Sequence, residues 1–246
     1  MLRPITPETA TRLACLVIGP AGIGKTSLLR TICGQKFSNA NSAWEPLEGI
    51  TPEKAVVLSA ESGLLCVRDL VQRGEIEGFE IGGIEDFQEA QRLCLSPEFK
   101  NKGYRWIFID SLTEIASRCA RRLADKYPGK NDTFKLWGEY DQMMTDIVKA
   151  FRDLTDYNVV FTCLEETRVT ENGTVTTPAV EGSKLKNRLT SYFDEVFHME
   201  RVPDGNGSTR VAFATQRPVG MAKDRSGRLT AYEAPNLLYI QQQIFS

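Results

Sequence analysis

The sequence holds one histidine, His198, and its six cysteines (Cys15, Cys33, Cys66, Cys94, Cys119 and Cys163) include no C-x-x-C pair. A histidine-based metal site is therefore not expected. Four of the cysteines lie in apolar-periodic segments, which reads as buried free thiols in a reducing cytoplasm. Long apolar runs are also missing. The longest, residues 13–18 (LACLVI), is far short of the roughly 20 residues that cross a bilayer. The opening MLRPITPETATR lacks the apolar core of a signal peptide. A cytoplasmic protein without membrane contact is expected. Nor is there an excess of one charge: 30 basic residues face 32 acidic ones, for a formal −2. That excludes a polycationic coat protein but leaves room for a local basic path.

Repeats, low-complexity tracts and linkers are absent as well. The 246 residues, 41% hydrophobic and 25% charged, read as one domain over 1–246 with an N-terminal extension at 1–12. A chain of this length buries roughly 70–75% of its unfolded surface and needs no disulfide or metal staple.

Strand-like and helix-like segments alternate through the first two thirds. Apolar runs at 13–18, 55–59 (AVVLS), 106–109 (WIFI) and 159–162 (VVFT) predict buried strands. Helices are predicted at 25–33, 64–72, 112–126 and 135–155. Fully apolar strands separated by helices indicate a mainly parallel twisted α/β sheet, flanked by helices on both faces. In the last third, the turn Glu171-Asn172-Gly173 and the segments 195–201 and 209–214 around Asp204-Gly205-Asn206-Gly207 predict antiparallel strands added to that sheet. Residues 75–89 carry six acids and no base, which reads as a solvated face.

The chemistry is densest at Gly19-Pro20-Ala21-Gly22-Ile23-Gly24-Lys25-Thr26, followed by Ser27. This matches the phosphate-loop pattern G-x-x-x-x-G-K-S/T, with a predicted strand before it and a helix after it. Glycines let the backbone turn its N–H groups toward phosphates. The helix adds its positive end. Lys25 is expected on the β- and γ-phosphates of ATP and Thr26 on Mg²⁺. About 85 residues on, the strand Trp106-Ile107-Phe108-Ile109 ends in Asp110. A carboxylate at the carboxyl edge of such a sheet is the second expected Mg²⁺ ligand.

Hydrolysis needs a group that positions the attacking water. Many ATPases place a Glu after the metal aspartate, but Ser111 stands there. Glu61, in Leu58-Ser59-Ala60-Glu61-Ser62-Gly63, is the preferred candidate, on the condition that its strand neighbours the phosphate-loop strand. Glu114, inside a helix, is the fallback. A GTPase is disfavoured because Asn101-Lys102-Gly103-Tyr104 lacks the aspartate of an N-K-x-D tetrad.

The phosphate loop, the SAESG segment, Ile109-Asp110-Ser111 and Ala222-Lys223-Asp224-Arg225 together resemble the RecA/DnaB branch of P-loop ATPases. Over roughly residues 12–240, with PAVEGSKLKNRL, FDEVFHMERV and AKDRSGRL, the chain is similar to phage-encoded RecA-like proteins, including single-strand annealing recombinases of the Sak type. The resemblance implies a phage-encoded protein working in the host cytoplasm as a homo-oligomer, ring or filament. Lys223 and Arg225 would then reach the γ-phosphate held by a neighbouring subunit. It implies single-stranded DNA as partner, with a single-strand DNA-binding protein as a further one. One position departs from the branch: Leu164 stands where a polar γ-phosphate sensor is usual, and Glu165 beside it is a poor electrostatic substitute.

Two segments fall where strand-binding loops are expected. Residues 118–135 hold Arg118, Arg121, Arg122, Lys126, Lys130 and Lys135 against Asp125 and Asp132, with Tyr127, Phe134, Trp137 and Tyr140 within or beside them. Basic groups that track phosphates, with aromatic faces for bases, suit single-strand binding. The other segment, 166–188, holds Arg168, Lys184, Lys186 and Arg188 and a Gly182-Ser183 break read as a mobile loop. The expected activity is ATP-dependent annealing or recombination. The alternatives are a hexameric helicase or translocase core, and a nucleotide-switched accessory module with little hydrolysis. A small-molecule kinase is remote, for want of an arginine-rich lid.

Overall fold

A computed structural model describes residues 12–38, 42–61, 63–171, 173–205, 207–216 and 221–246. The expected extension, save Arg12, lies outside them, as do Asn172 and Asn206 of the two expected turns. In chain order the elements are β1 (Ala14–Gly19), a 3-10 turn at Thr26–Leu28, α1 (Leu29–Ile32), β2 (Gln35–Ser38), β3 (Ala43–Pro46), β4 (Lys54–Ser59), α2 (Arg68–Gln72), β5 (Ile76–Glu80), α3 (Ile84–Leu95) and α4 (Pro97–Lys100). There follow β6 (Tyr104–Asp110), α5 (Leu112–Lys126), α6 (Thr133–Arg152), β7 (Asn158–Thr170), β8 (Gly173–Pro178), α7 (Ser183–Arg188), β9 (Glu195–Pro203), β10 (Thr209–Ala214), β11 (Lys223–Asp224), β12 (Tyr232–Glu233) and α8 (Leu237–Phe245).

One sheet runs in the order β12-β10-β9-β1-β7-β6-β4-β5, with β8 paired to β7 and β11 to β9. The path from β5 through β4, β6, β7 and β1 to β9 is parallel throughout. The added strands β10, β12, β8 and β11 pair antiparallel. This is the α/β architecture the apolar strands predict.

Burial on both faces explains those strands. Leu16, Ile18, Ile107, Ile109, Val159 and Phe161 point into a core with α3, α5 and α6. Cys15, Val17, Trp106, Phe108 and Val160 point into a second core with α1, α2 and α8. All six cysteines are free; Cys66 is exposed and the other five are buried. Burial pushes the Cys33 and Cys94 thiols up to about 12 and those of Cys119 and Cys163 to about 11, which leaves them inert. No described helix is long and apolar enough to cross a membrane.

Three expectations need correction, and a fourth is met in part. The helix expected at 25–33 is a 3-10 turn and a short α-helix, ended at Gly34 (φ 71°) where the β2–β3 ribbon begins. The strand expected at 159–162 runs on to Thr170, because β8 pairs with residues 165–170. The segment from residue 195, expected antiparallel, is parallel to β1 and antiparallel only to β10. The acidic run at 75–89 is solvated in part, with Glu80, Glu85 and Glu89 exposed. It holds β5 and the start of α3; Glu77 bonds Lys102 and Tyr104, Glu85 pairs with Arg122, and Asp86 accepts the Gly82 and Gly83 amides.

Candidate active site

The parallel strands bring their carboxyl ends to one edge, where ligands bind in such sheets. Gly19 ends β1 against β9 so closely that a Cβ there would lie 2.6 Å from the Met199 carbonyl oxygen. Gly22 and Gly24 take φ of 74° and 107°, the conformations that curl the loop. Lys25 folds into this cradle: its Nζ donates to the Gly19 carbonyl at 2.9 Å and the Pro20 carbonyl at 2.8 Å. The side chain is 8% exposed. Burial lowers its pKa, and the facing Asp110, Cys163, Glu61 and Glu165 oppose that shift. An ammonium held in a carbonyl cradle, with three carboxylates in range, is a cation placed to meet phosphate.

Thr26 and Asp110 meet beside it. Thr26 Oγ1 donates to Asp110 Oδ2 at 2.6 Å. The other carboxylate oxygen accepts from Thr162 Oγ1 at 2.5 Å. Thr162 is fully buried in β7 and locks the aspartate's orientation, as supporting hydroxyls do around metal ligands. The sequence reading missed this residue, although a lone hydroxyl inside an apolar strand was its signal. Among the described residues no group of three or more His, Cys, Asp or Glu is arranged to hold a metal. One carboxylate and one hydroxyl suit Mg²⁺, which takes one or two protein oxygens and completes its shell with phosphates and water. Thr26 and Asp110 would hold it, and the ion would neutralise charge on the phosphates.

Glu61 reaches the site by another route than expected. Its strand, β4, does not neighbour β1; β6 and β7 lie between. The link is Ser111, whose Oγ donates to Glu61 Oε1 at 2.7 Å. Ser111 is 1% exposed and caps α5. The residue standing where many ATPases carry a Glu thus tethers a Glu delivered from β4. Glu114 does not share the site: it pairs with Arg118 at 2.9 Å and Arg121 at 3.8 Å.

Leu164 lies opposite Gly19, and its amide donates to Thr113 Oγ1. Glu165 beside it bonds His198 Nε2 at 2.6 Å, and His198 Nδ1 is 3.5 Å from Glu200. These groups, with loop residues 20–23 and Arg201, line a cavity of about 330 Å³. The histidine gives the Glu165 carboxylate a partner that the sequence did not suggest.

Lys223 and Arg225 lie apart from the phosphate loop. Lys223 opens the short strand β11 and pairs with Val196 of β9, which is level with Leu16 of β1, and Arg225 follows that strand. Leu16 is three residues before Gly19, about 10 Å along the strand. Lys223 Nζ donates to the Thr190 and Phe193 carbonyls, and Arg225 pairs with Asp194 at 2.6 Å. Beneath them Glu195 is buried, which pushes its carboxyl up to about 7.

The expected basic path is largely neutralised. Arg118 and Arg121 pair with Glu114, Arg122 with Glu85, Lys126 with Glu139 and Lys135 with Asp132. Arg118 also donates to the Ile81 and Ala60 carbonyls, a structural clamp. The Gly182-Ser183 break is the start of α7, with Gly182 at φ 73°. Yet the two segments do meet. The Trp137 and Tyr140 rings abut Gly182, and Phe134, Trp137, Gly182, Ser183 and Lys184 line one cavity of about 700 Å³ between α6 and α7. Phe134 is 87% exposed and Trp137 39%, while Tyr140 is buried.

A glycine-curled loop around a buried lysine, with Thr26 against Asp110 at the carboxyl edge of a parallel sheet, defines a P-loop ATPase. More narrowly, the family described as AAA domain matches residues 11–226, and the chain belongs to that family. It is also similar to the taurine import ATP-binding protein TauB of Shigella flexneri serotype 5b (strain 8401) and to TauB of Shigella flexneri. Each is 30% identical over 153 residues, covering 56% of this chain and 58% of the relative. The chain thus spans less than two thirds of the length of these curated relatives.

Proposed function

We propose that this ATPase binds single-stranded DNA in the groove between α6 and α7, and that it works as an oligomer promoting annealing or homologous recombination. The observation that carries the reading is the meeting of Phe134 and Trp137 with Lys184 in one groove. Exposed rings beside a cation suit a strand whose bases stack and whose phosphates need a counter-charge. Because most of the α5 charges are paired internally, stacking dominates and sequence preference is small.

The groove has a covalent route to the phosphate loop. Glu165, on the loop's cavity, is level with Pro178 at the base of the β7–β8 hairpin, and α7 follows that hairpin. A change at the γ-phosphate is thereby passed along residues 165–183 to the groove wall. Lys223 and Arg225 lie too far from their own loop to serve it, so they act in trans across a subunit boundary. A second reading, a nucleotide-switched module with slow turnover, is favoured by Leu164 at the sensor position.

The test is the anisotropy of a labelled oligonucleotide of about 30 nucleotides at fixed salt, since phosphate contacts are salt-dependent. Phe134→Ala and Trp137→Ala are each expected to weaken binding about five- to a hundred-fold, the range for loss of one stacking ring, and to leave DNA-free ATP turnover unchanged. Unchanged affinity in both variants would remove DNA from this groove.

A further inference from the structure

Glu61 is exposed, and it lies just past the end of β4, in a turn rather than in a strand. Its carboxylate therefore aims where that turn aims. The turn is pinned at several points. The Ala60 amide donates to the Asp110 carbonyl at 2.7 Å, which ties the turn to the strand of the expected metal ligand. The Glu61 carbonyl accepts from Ser59 Oγ and from the Gly63 amide. The Ser111 hydroxyl holds the carboxylate itself.

A further hold comes from Arg118, a residue the sequence suggested for nucleic acid. Its guanidinium uses all three nitrogens inside the protein. Nε donates to Glu114 at 2.9 Å, Nη1 to the Ile81 carbonyl at 2.7 Å and Nη2 to the Ala60 carbonyl. Ala60 and Ile81 are buried and follow the neighbouring parallel strands β4 and β5. Buried carbonyls need donors, and a planar fork suits two of them held at a fixed separation. A lysine ammonium, a single point charge, lacks that geometry. The Ala60 carbonyl belongs to the peptide that joins Ala60 to Glu61. Arg118 stands on α5 about two turns after Ser111, which caps the same helix. One helix thus holds Glu61 twice, by its side chain through Ser111 and by its leading peptide through Arg118.

We propose that Arg118 is a positioning residue for ATP hydrolysis, clamping the Ala60–Glu61 peptide so that the Glu61 carboxylate points at the attacking water. The inference rests on Glu61 as the water-positioning group and is independent of DNA. It gives the guanidinium a task in turnover that its place in a basic segment conceals.

The experiment is a double-mutant cycle in single-turnover ATP hydrolysis, with Mg-ATP affinity and thermal unfolding measured on the same proteins. Arg118→Ala is expected to slow hydrolysis about 10²-fold, the cost of misplacing a reacting group by about 1 Å. ATP affinity is expected to remain that of the wild type, since the bonds of Arg118 reach neither Lys25 nor Thr26 nor the Asp110 side chain. Arg118→Lys keeps the charge and is expected to recover part of the rate. In the Glu61→Gln background, Arg118→Ala is expected to cost nothing further, because residues that act as a unit are not additive. A full additional loss in that background would overturn the proposal, as would wild-type hydrolysis in Arg118→Ala. A loss of ATP affinity and of melting temperature in step with the rate would also overturn it, since Arg118 would then support only the fold. If Arg118→Ala does not fold, Arg118→Lys carries the same cycle under the same criteria. Wild-type hydrolysis in Glu61→Gln would remove the Glu61 assignment and the proposal with it. A slow Glu61→Gln beside an unaffected Arg118→Ala would remove the proposal alone.

Discussion

Lys25→Ala is expected to lower ATP turnover by on the order of 10²–10³-fold or more, the usual effect of removing one preorganised charge from the transition state. The ammonium is buried and, among the described residues, donates to the Gly19 and Pro20 carbonyls. It can exchange those two carbonyls for phosphate oxygens without rebuilding the loop. Asp110, Glu61 and Glu165 all face it, and alanine leaves that cluster of negative charge to repel the nucleotide. Binding and turnover therefore fall together. The fold is expected to persist, because Asp110 keeps its bonds from Thr26 and Thr162. Phosphate release, with thermal unfolding as a control, reads the result. Turnover within a few-fold of wild type would place the phosphates elsewhere.

Glu61→Gln is expected to separate the two. ATP affinity stays near wild type, and turnover falls about 10²–10⁴-fold, the range for general-base catalysis. The amide oxygen can still accept the Ser111 hydroxyl, so orientation survives while basicity is lost. Single-turnover hydrolysis beside equilibrium binding measures both. Normal hydrolysis would move the water-positioning role to another carboxylate facing Lys25, such as Glu165, which is paired with His198.

The parts legible in the sequence are those in which chemistry and local pattern coincide. β1, β6 and the loop announce themselves because strands buried on both faces must be apolar throughout and the phosphate cradle requires fixed spacing. The helix from Leu112 to Lys126 was legible from its periodicity. Glu61 was legible by type but not by route, since strand order depends on tertiary packing and Ser111 lies 50 residues away. The β2–β3 ribbon was invisible, because QKFS and AWEP bury too little to show an alternating pattern. The acidic run concealed β5 by charge. The basic helix misled for the opposite reason: sequence displays charges but not partners such as Glu85 and Glu139, which fold back from 37 and 13 residues away. The Glu165–His198 bond likewise joins strands on either side of β1.

The proposed function requires nucleotide turnover and strand binding to be coupled in an oligomer. The most direct measurement is the steady-state ATP hydrolysis rate with and without single-stranded DNA, across protein concentration at fixed salt. Coupling is expected to show as stimulation by DNA and a rate that rises more than linearly with protein, as it would if Lys223 and Arg225 acted across a subunit boundary. A slow rate indifferent to both would contradict it.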